Sequence, residues 1–348
     1  MKTRRTNYDL LRVAACYFVV FSHTAASFVE TFVWDNIDGI APNHPLFSCV
    51  FTVLGRFTVP VFIMLSGAFL LRDERTADVK TFYRRSFWRI GPPAAAAMIF
   101  AVIYSAVTKV GMDHMSLWDG VIHPLLSGAP FYHLWYLPVL FGLYLLAPFI
   151  YGAKEKLTDG GFVKASVFML AAGNLALYVT GPVNFHWNIA EIFCYAGYFM
   201  IGAVLFSETE SKNNRNGILL IAAGFLIEVI SGYLLYRAIL SGMDRDLAEH
   251  LLVLSYTPFT TAAALLIFAG FGRLNVRGNY AGEASHSYDI YLMHSFVLDM
   301  LIRICRFYKG QRWLTHLDSR IAIFLTGTAV YLICRLLSQL VQRKKNKI

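Results

Sequence analysis

Ionisable side chains at Asp9, Arg12, His23, Arg56 and His294 fall within or at the edges of long apolar runs. An imidazole with a pKa of ~6.5 takes and returns a proton near neutrality, which suits a general base on a hydroxyl or a transient acyl carrier. Asp9 and Arg12 are three residues apart, so a helix puts both on one face, where they can pair. His23 follows eleven residues after Arg12, roughly 20 Å from the start of that run at helical rise. At that distance Asp9 and Arg12 shape a channel more readily than they orient the ring. Arg56 lies in Gly55-Arg56-Phe57-Thr58-Val59-Pro60-Val61-Phe62. A guanidinium at membrane depth pairs with an acid or binds an anion, and Pro60 can open the helix so that polar groups face a cavity.

Three further groups could recognise ligands. Arg84, Arg85 and Arg89 crowd one helix entrance ahead of Gly91-Pro92-Pro93; guanidinium groups and helix N-termini suit phosphate, implying an anionic substrate. Part of that run is ordinary inside-positive topology. Phe131-Tyr132-His133-Leu134-Trp135-Tyr136 reads either as an interfacial anchor or as an aromatic platform for a sugar, with His133 exchanging hydrogen bonds. Tyr291 and His294, three apart, share a helix face. Packing explains each histidine singly, but it must also account for two buried histidines and a buried arginine together. The spacings suggest no metal site. Cys16, Cys49, Cys194, Cys305 and Cys334 sit in apolar runs without a CxxC pair, and read as small packing residues.

The elements that must position these groups are transmembrane helices. Of 348 residues, 57% are hydrophobic and 15% charged, against about 25% charged in a soluble domain. Apolar runs near 8–29, 45–71, 90–110, 133–152, 163–181, 189–207, 217–240, 251–271, 286–307 and 320–341 are each about the length that spans a bilayer. The expectation is an all-α polytopic membrane protein of about ten spans. A single membrane-embedded domain covers 1–348, with a basic cytoplasmic loop at 72–89. The first run has too many charges at its start, and no small-residue cleavage site, for a cleaved signal. Lys and Arg concentrate in alternate loops while acids such as Asp244 and Glu249 collect in the others, so both termini are expected in the cytoplasm. The net charge of +9 does not imply nucleic acid, because the basic residues are spread through short loops. The longest outer loops, 30–44 and 111–132, are rich in Pro, Gly, Asp and aromatic residues.

Taken in order, these motifs resemble the acyltransferase-3 family of bacterial inner-membrane proteins. The resemblance is carried by Asp9, Arg12 and His23, by Val59-Pro60-Val61-Phe62 through Ser66-Gly67, by His133-Leu134-Trp135-Tyr136 with Pro148, and by Ile290-Tyr291-Leu292-Met293-His294. The chain looks most like the enterobacterial-common-antigen O-acetyltransferase subgroup. Many members carry Arg-x-x-Arg at the start of the third span. Here Arg85 and Arg89 are four apart, and Arg72 and Arg75 have that spacing earlier. The resemblance implies acetyl-CoA as a cytoplasmic acyl donor, a hydroxyl of a lipid-linked or surface glycan as acceptor, and His23 as the catalytic group. The donor's phosphates would lie near Arg84, Arg85 and Arg89 with its pantetheine arm directed towards Arg56 and His23, while His133, Trp135, Tyr291 and His294 serve the acceptor. Partners are then the bilayer, acetyl-CoA and the glycan, with an oligomer allowed. A transporter or flippase that moves its substrate unchanged is the rival reading, and a structural subunit of an envelope-polysaccharide complex is a third.

Overall fold

The computed structural model describes residues 5–28, 43–180, 189–206, 213–307 and 319–345. Nearly all of the loop expected at 30–44 lies outside them, as does the side chain of Cys305. Among the described residues the chain is helical throughout, with no strand. The main helices are α1 (Thr6–Phe28), α2 (Asn43–Val53), α3 (Thr58–Leu70), α4 (Val79–Ser105), α5 (Tyr136–Lys156), α6 (Asp159–Thr180), α7 (Ile189–Leu205), α8 (Asn214–Leu240), α9 (Arg245–Leu252), α10 (Pro258–Arg273), α11 (Ser287–Phe307) and α12 (Ser319–Lys345).

Among the described residues, seven stretches are long and apolar enough to cross a membrane: Thr6–Ser27, Leu46–Leu70, Val79–Met112, Tyr132–Lys156, Asp159–Thr180, Asn214–Leu240 and Arg320–Arg343. Glu191–Leu205 and Pro258–Arg273 are shorter apolar helices. α11 is 21 residues long and carries Asp289, Asp299 and Arg303. Every run expected to span therefore contains helix, and the chain is an all-α, multi-pass membrane protein.

Three boundaries differ from expectation. The run 45–71 is two helices, because Pro60 lacks an N–H for the Arg56 carbonyl four residues back and its ring would strike that carbonyl. Pro60 is instead the third residue of α3, where its N–H would have no helical partner anyway. The run 251–271 also breaks: α9 ends at Leu252, and α10 starts with Thr257 as its cap and Pro258 at its first position, where proline's fixed φ suits helix entry. The loop expected over 72–89 is largely helical. Asp78 caps α4 by accepting from the Thr81 N–H at 3.2 Å, so Arg84, Arg85 and Arg89 ride on the helix itself.

The chain folds into two compact units, residues 1–62 with 207–348, and residues 63–206. In the first, α1, α11 and α12 pack together through Cys16, Val19, Val20, Ile290, Leu298, Ile302, Val330 and Cys334. The buried Cys16, Cys49, Cys194 and Cys334 are free thiols, consistent with packing roles. α8 lies along α2 and α10 in the same unit. In the second unit, α7 packs on α5 and α6. It also meets α3 so closely that a Cβ on Gly67 would lie 1.7 Å from the Phe199 carbonyl oxygen, and one on Gly202 would lie 2.2 Å from that of Met64.

Candidate functional site

α1 is apolar on the face that meets α11 and α12, and that packing sets where its polar residues point. Asp9 is buried at 6% exposure and Arg12 is half-buried on the same face. Farther along, the His23 ring lies 5.3 Å, centroid to centroid, from that of His294 on α11, with the planes 40° apart. The sequence offers each histidine separately; the fold makes them neighbours.

Their situations differ. His294 has 0% exposure, whereas His23 is half-buried. A carbonyl can only accept, so His294 Nδ1 carries the proton and donates to the Tyr291 carbonyl at 2.8 Å, with Ile290 at 3.2 Å. This tautomer leaves Nε2 as an acceptor for the Ser295 hydroxyl at 3.1 Å. His294 is thus committed to its own helix through both nitrogens. Tyr291 lies beside it, ring centroids 6.1 Å apart, and stacks with Tyr288 at 6.5 Å. Of the two imidazoles, His23 is the one that keeps part of its surface exposed.

Arg56 occupies the break between α2 and α3. Gly55 is required there, since a Cβ would lie 2.4 Å from Ser22 Cβ and 2.5 Å from the Phe18 carbonyl oxygen. The break frees backbone groups that membrane depth would penalise, and side chains take them up. Ser22 donates to the Thr52 carbonyl at 2.5 Å, and Thr58 donates to the Gly55 carbonyl at 2.6 Å. Arg56 Nη2 donates to Glu249 on α9 at 3.1 Å, and Arg245 Nε meets the other oxygen of the same carboxylate at 3.0 Å. The pairing anticipated for the guanidinium is therefore present, on a side chain that is half-buried.

The sequence patterns do not single out Glu228. It interrupts the apolar α8 at 1% exposure, and neither carboxylate oxygen makes a hydrogen bond of good geometry, although the Arg56 guanidinium and the Phe57 N–H face it. Hydropathy passes over one charge in a 27-residue helix, yet the cost argument that marks Arg56 applies to Glu228 equally. Burying an unpartnered polar group costs about 1–3 kcal/mol. Glu228→Met should accordingly raise stability by about that amount. A melting temperature at or below wild type would show instead that the carboxylate stabilises the fold.

The remaining sequence-predicted residues lie in the second unit. Arg84 and Arg85 are exposed, and Arg89 Nη2 donates to the Tyr144 hydroxyl at 2.8 Å. The Arg72/Arg75 pair with the Arg-x-x-Arg spacing is engaged locally. Arg75 pairs with Asp73 at 2.6 Å, and Arg72 lies 5.2 Å from the Phe206 ring centroid. His133 is buried at 2% between the Phe131 and Tyr132 rings. Trp135 is half-buried against Tyr195, centroids 5.9 Å apart. Among the described residues, no three His, Cys, Asp or Glu side chains converge as metal ligands.

A family model described as an acyltransferase domain matches residues 5–338, taking in every candidate site residue. The chain belongs to the acyltransferase-3 family. Over 77 residues the chain is 38% identical to acyltransferase MdmB of Streptomyces mycarofaciens, a stretch that covers 22% of this chain and 20% of that protein. The match thus spans about a fifth of the relative's length. No solved structure matches the chain. The geometry shows which of the chain's groups are placed to take part in chemistry.

Proposed function

We propose that the protein transfers an acetyl group from cytoplasmic acetyl-CoA to a hydroxyl of a lipid-linked or surface glycan on the far side of a bacterial inner membrane, as in the enterobacterial-common-antigen O-acetyltransferase subgroup. His23 is the general base on that hydroxyl. The observation that carries this reading is the half-buried His23 ring set against a His294 committed to its own helix, because a base must be reachable while its neighbour fixes the pocket wall. A positioned base of this kind contributes about 10²–10⁴-fold in rate.

Arg84, Arg85 and Arg89 take the donor's phosphates. Arg84 and Arg85 are exposed, while the other basic pair is held by its own surroundings. Asp9 and Arg12 line the donor's approach along α1, and Arg56 serves the acyl end. On the acceptor side the half-buried Tyr291 offers a flat ring face to sugar C–H surfaces, with the buried His294 beside it.

The purified protein in lipid vesicles, given radiolabelled acetyl-CoA and a thiol reagent, is expected to release free CoA. Glycans from cells with the gene are expected to weigh one acetyl group more than those from cells without it. A substrate that crosses the bilayer unchanged with no CoA released would establish transport instead.

A further inference from the structure

Acyl transfer from a thioester passes through a tetrahedral carbon whose oxygen gathers negative charge. Donors already aimed at that oxygen often supply the largest single share of the acceleration. Neither the family match nor the paired histidines provide such a donor.

Arg56 has one to spare. Glu249 holds its Nη2, and Arg245 holds the other oxygen of Glu249, so the guanidinium is anchored at one end by a carboxylate that is itself fixed. Its Nε–H is buried and has no hydrogen-bond partner. Glu228, the other carboxylate that Arg56 faces, takes no hydrogen bond from it. A buried donor left unpaired is costly, and acyl transfer needs such a donor only in the transition state. The backbone adds to the field. Arg56 lies two residues before α3, whose N-terminus carries the positive end of a helix dipole. Gly55, next to Arg56, meets Ser22, next to His23, so closely that a Cβ on the glycine would lie 2.4 Å from Ser22 Cβ, which places the arginine's segment in the neighbourhood of the base.

We propose that Arg56 Nε–H is the oxyanion donor of the transfer step, an assignment that rests on His23 acting as the base. The acceptor hydroxyl oxygen bonds to the thioester carbonyl carbon as His23 removes its proton. The carbonyl π pair moves onto oxygen, where Arg56 Nε–H meets it. That pair then re-forms the carbonyl, the carbon–sulfur bond breaks, and the leaving thiolate takes the proton back from His23. The sum is an acyl ester plus CoA thiol, with no net proton released and no oxidant required.

Arg56→Lys tests this directly, because lysine keeps the charge and removes the planar Nε–H. In vesicles, kcat is expected to fall about 10²–10³-fold, with KM for acetyl-CoA within about threefold of wild type. An unchanged kcat, or a loss confined to that KM, would overturn the assignment, the latter by making Arg56 a donor-binding group. Should the lysine variant fail to fold, Glu249→Gln answers the question by loosening the anchor and keeping the guanidinium. A drop in kcat of about tenfold at constant donor KM supports the assignment, and an unchanged kcat removes it. His23→Ala, run in parallel, separates the two readings. An inactive His23→Ala beside a fully active Arg56→Lys rejects only the arginine. Full glycan acetylation by His23→Ala rejects the base, and the oxyanion assignment falls with it.

Discussion

His23→Ala and His23→Gln are both expected to lower acyl transfer by about 10²–10⁴-fold, the share a positioned general base supplies, and to leave the melting temperature within a few degrees of wild type. Both halves follow from the ring's surroundings. His23 is half-buried, so its removal opens little dry volume. The packing between α1, α11 and α12 runs through Cys16, Val19, Val20, Ile290 and Val330, none of which the substitution touches. His294→Ala provides the contrast. It removes a ring at 0% exposure together with its bonds to Tyr291 and Ser295, and is expected to destabilise by about 2–5 kcal/mol, the range for a large-to-small change in a core. Measured side by side, the first variant loses catalysis with little stability and the second loses stability first. Retained acetylation in both His23 variants would remove the imidazole from the mechanism.

Gly67→Ala is expected to prevent folding. A Cβ there would sit 1.7 Å from the Phe199 carbonyl oxygen, far inside any real contact, and the obstacle is backbone rather than the tip of a movable side chain. Overpacking a core ordinarily costs about 1–3 kcal/mol; here helices α3 and α7 must separate, so about 3 kcal/mol or more is expected. Gly202 makes the reciprocal approach to Met64, and small residues that let backbones meet closely are how membrane helices associate. The measurement is the yield of monodisperse protein after detergent extraction, with melting temperature where protein survives. Wild-type yield and melting would mean that the two helices meet differently.

Most of the helical layout is legible in the sequence, because length and apolar content alone determine where a chain can cross lipid. The breaks are harder to read. Gly55 and Pro60 hint at the first and Thr257-Pro258 at the second, but continuous hydropathy runs across both. The start of α4 turns on Asp78, a single capping residue within a charged stretch. Of the candidate site, His23, His294 and Arg56 are visible as polar residues in apolar runs. Their relationships are not visible, since the pairing of His23 with His294 and of Arg56 with Glu249 depends on how distant helices pack. Glu249 sits among acids that read as an outer-loop charge signal, and Glu228 is a lone charge diluted by its neighbours.

The bond from Ser22 to the Thr52 carbonyl has a mechanical result. The residue next to His23 grips the end of α2, four positions from Arg56, so the base and the guanidinium are geared together. A sliding motion of the first helix along its axis drags the arginine's segment with it. The contact that helps set the spacing between His23 and Arg56 thus runs through a hydroxyl that takes no part in the proposed chemistry.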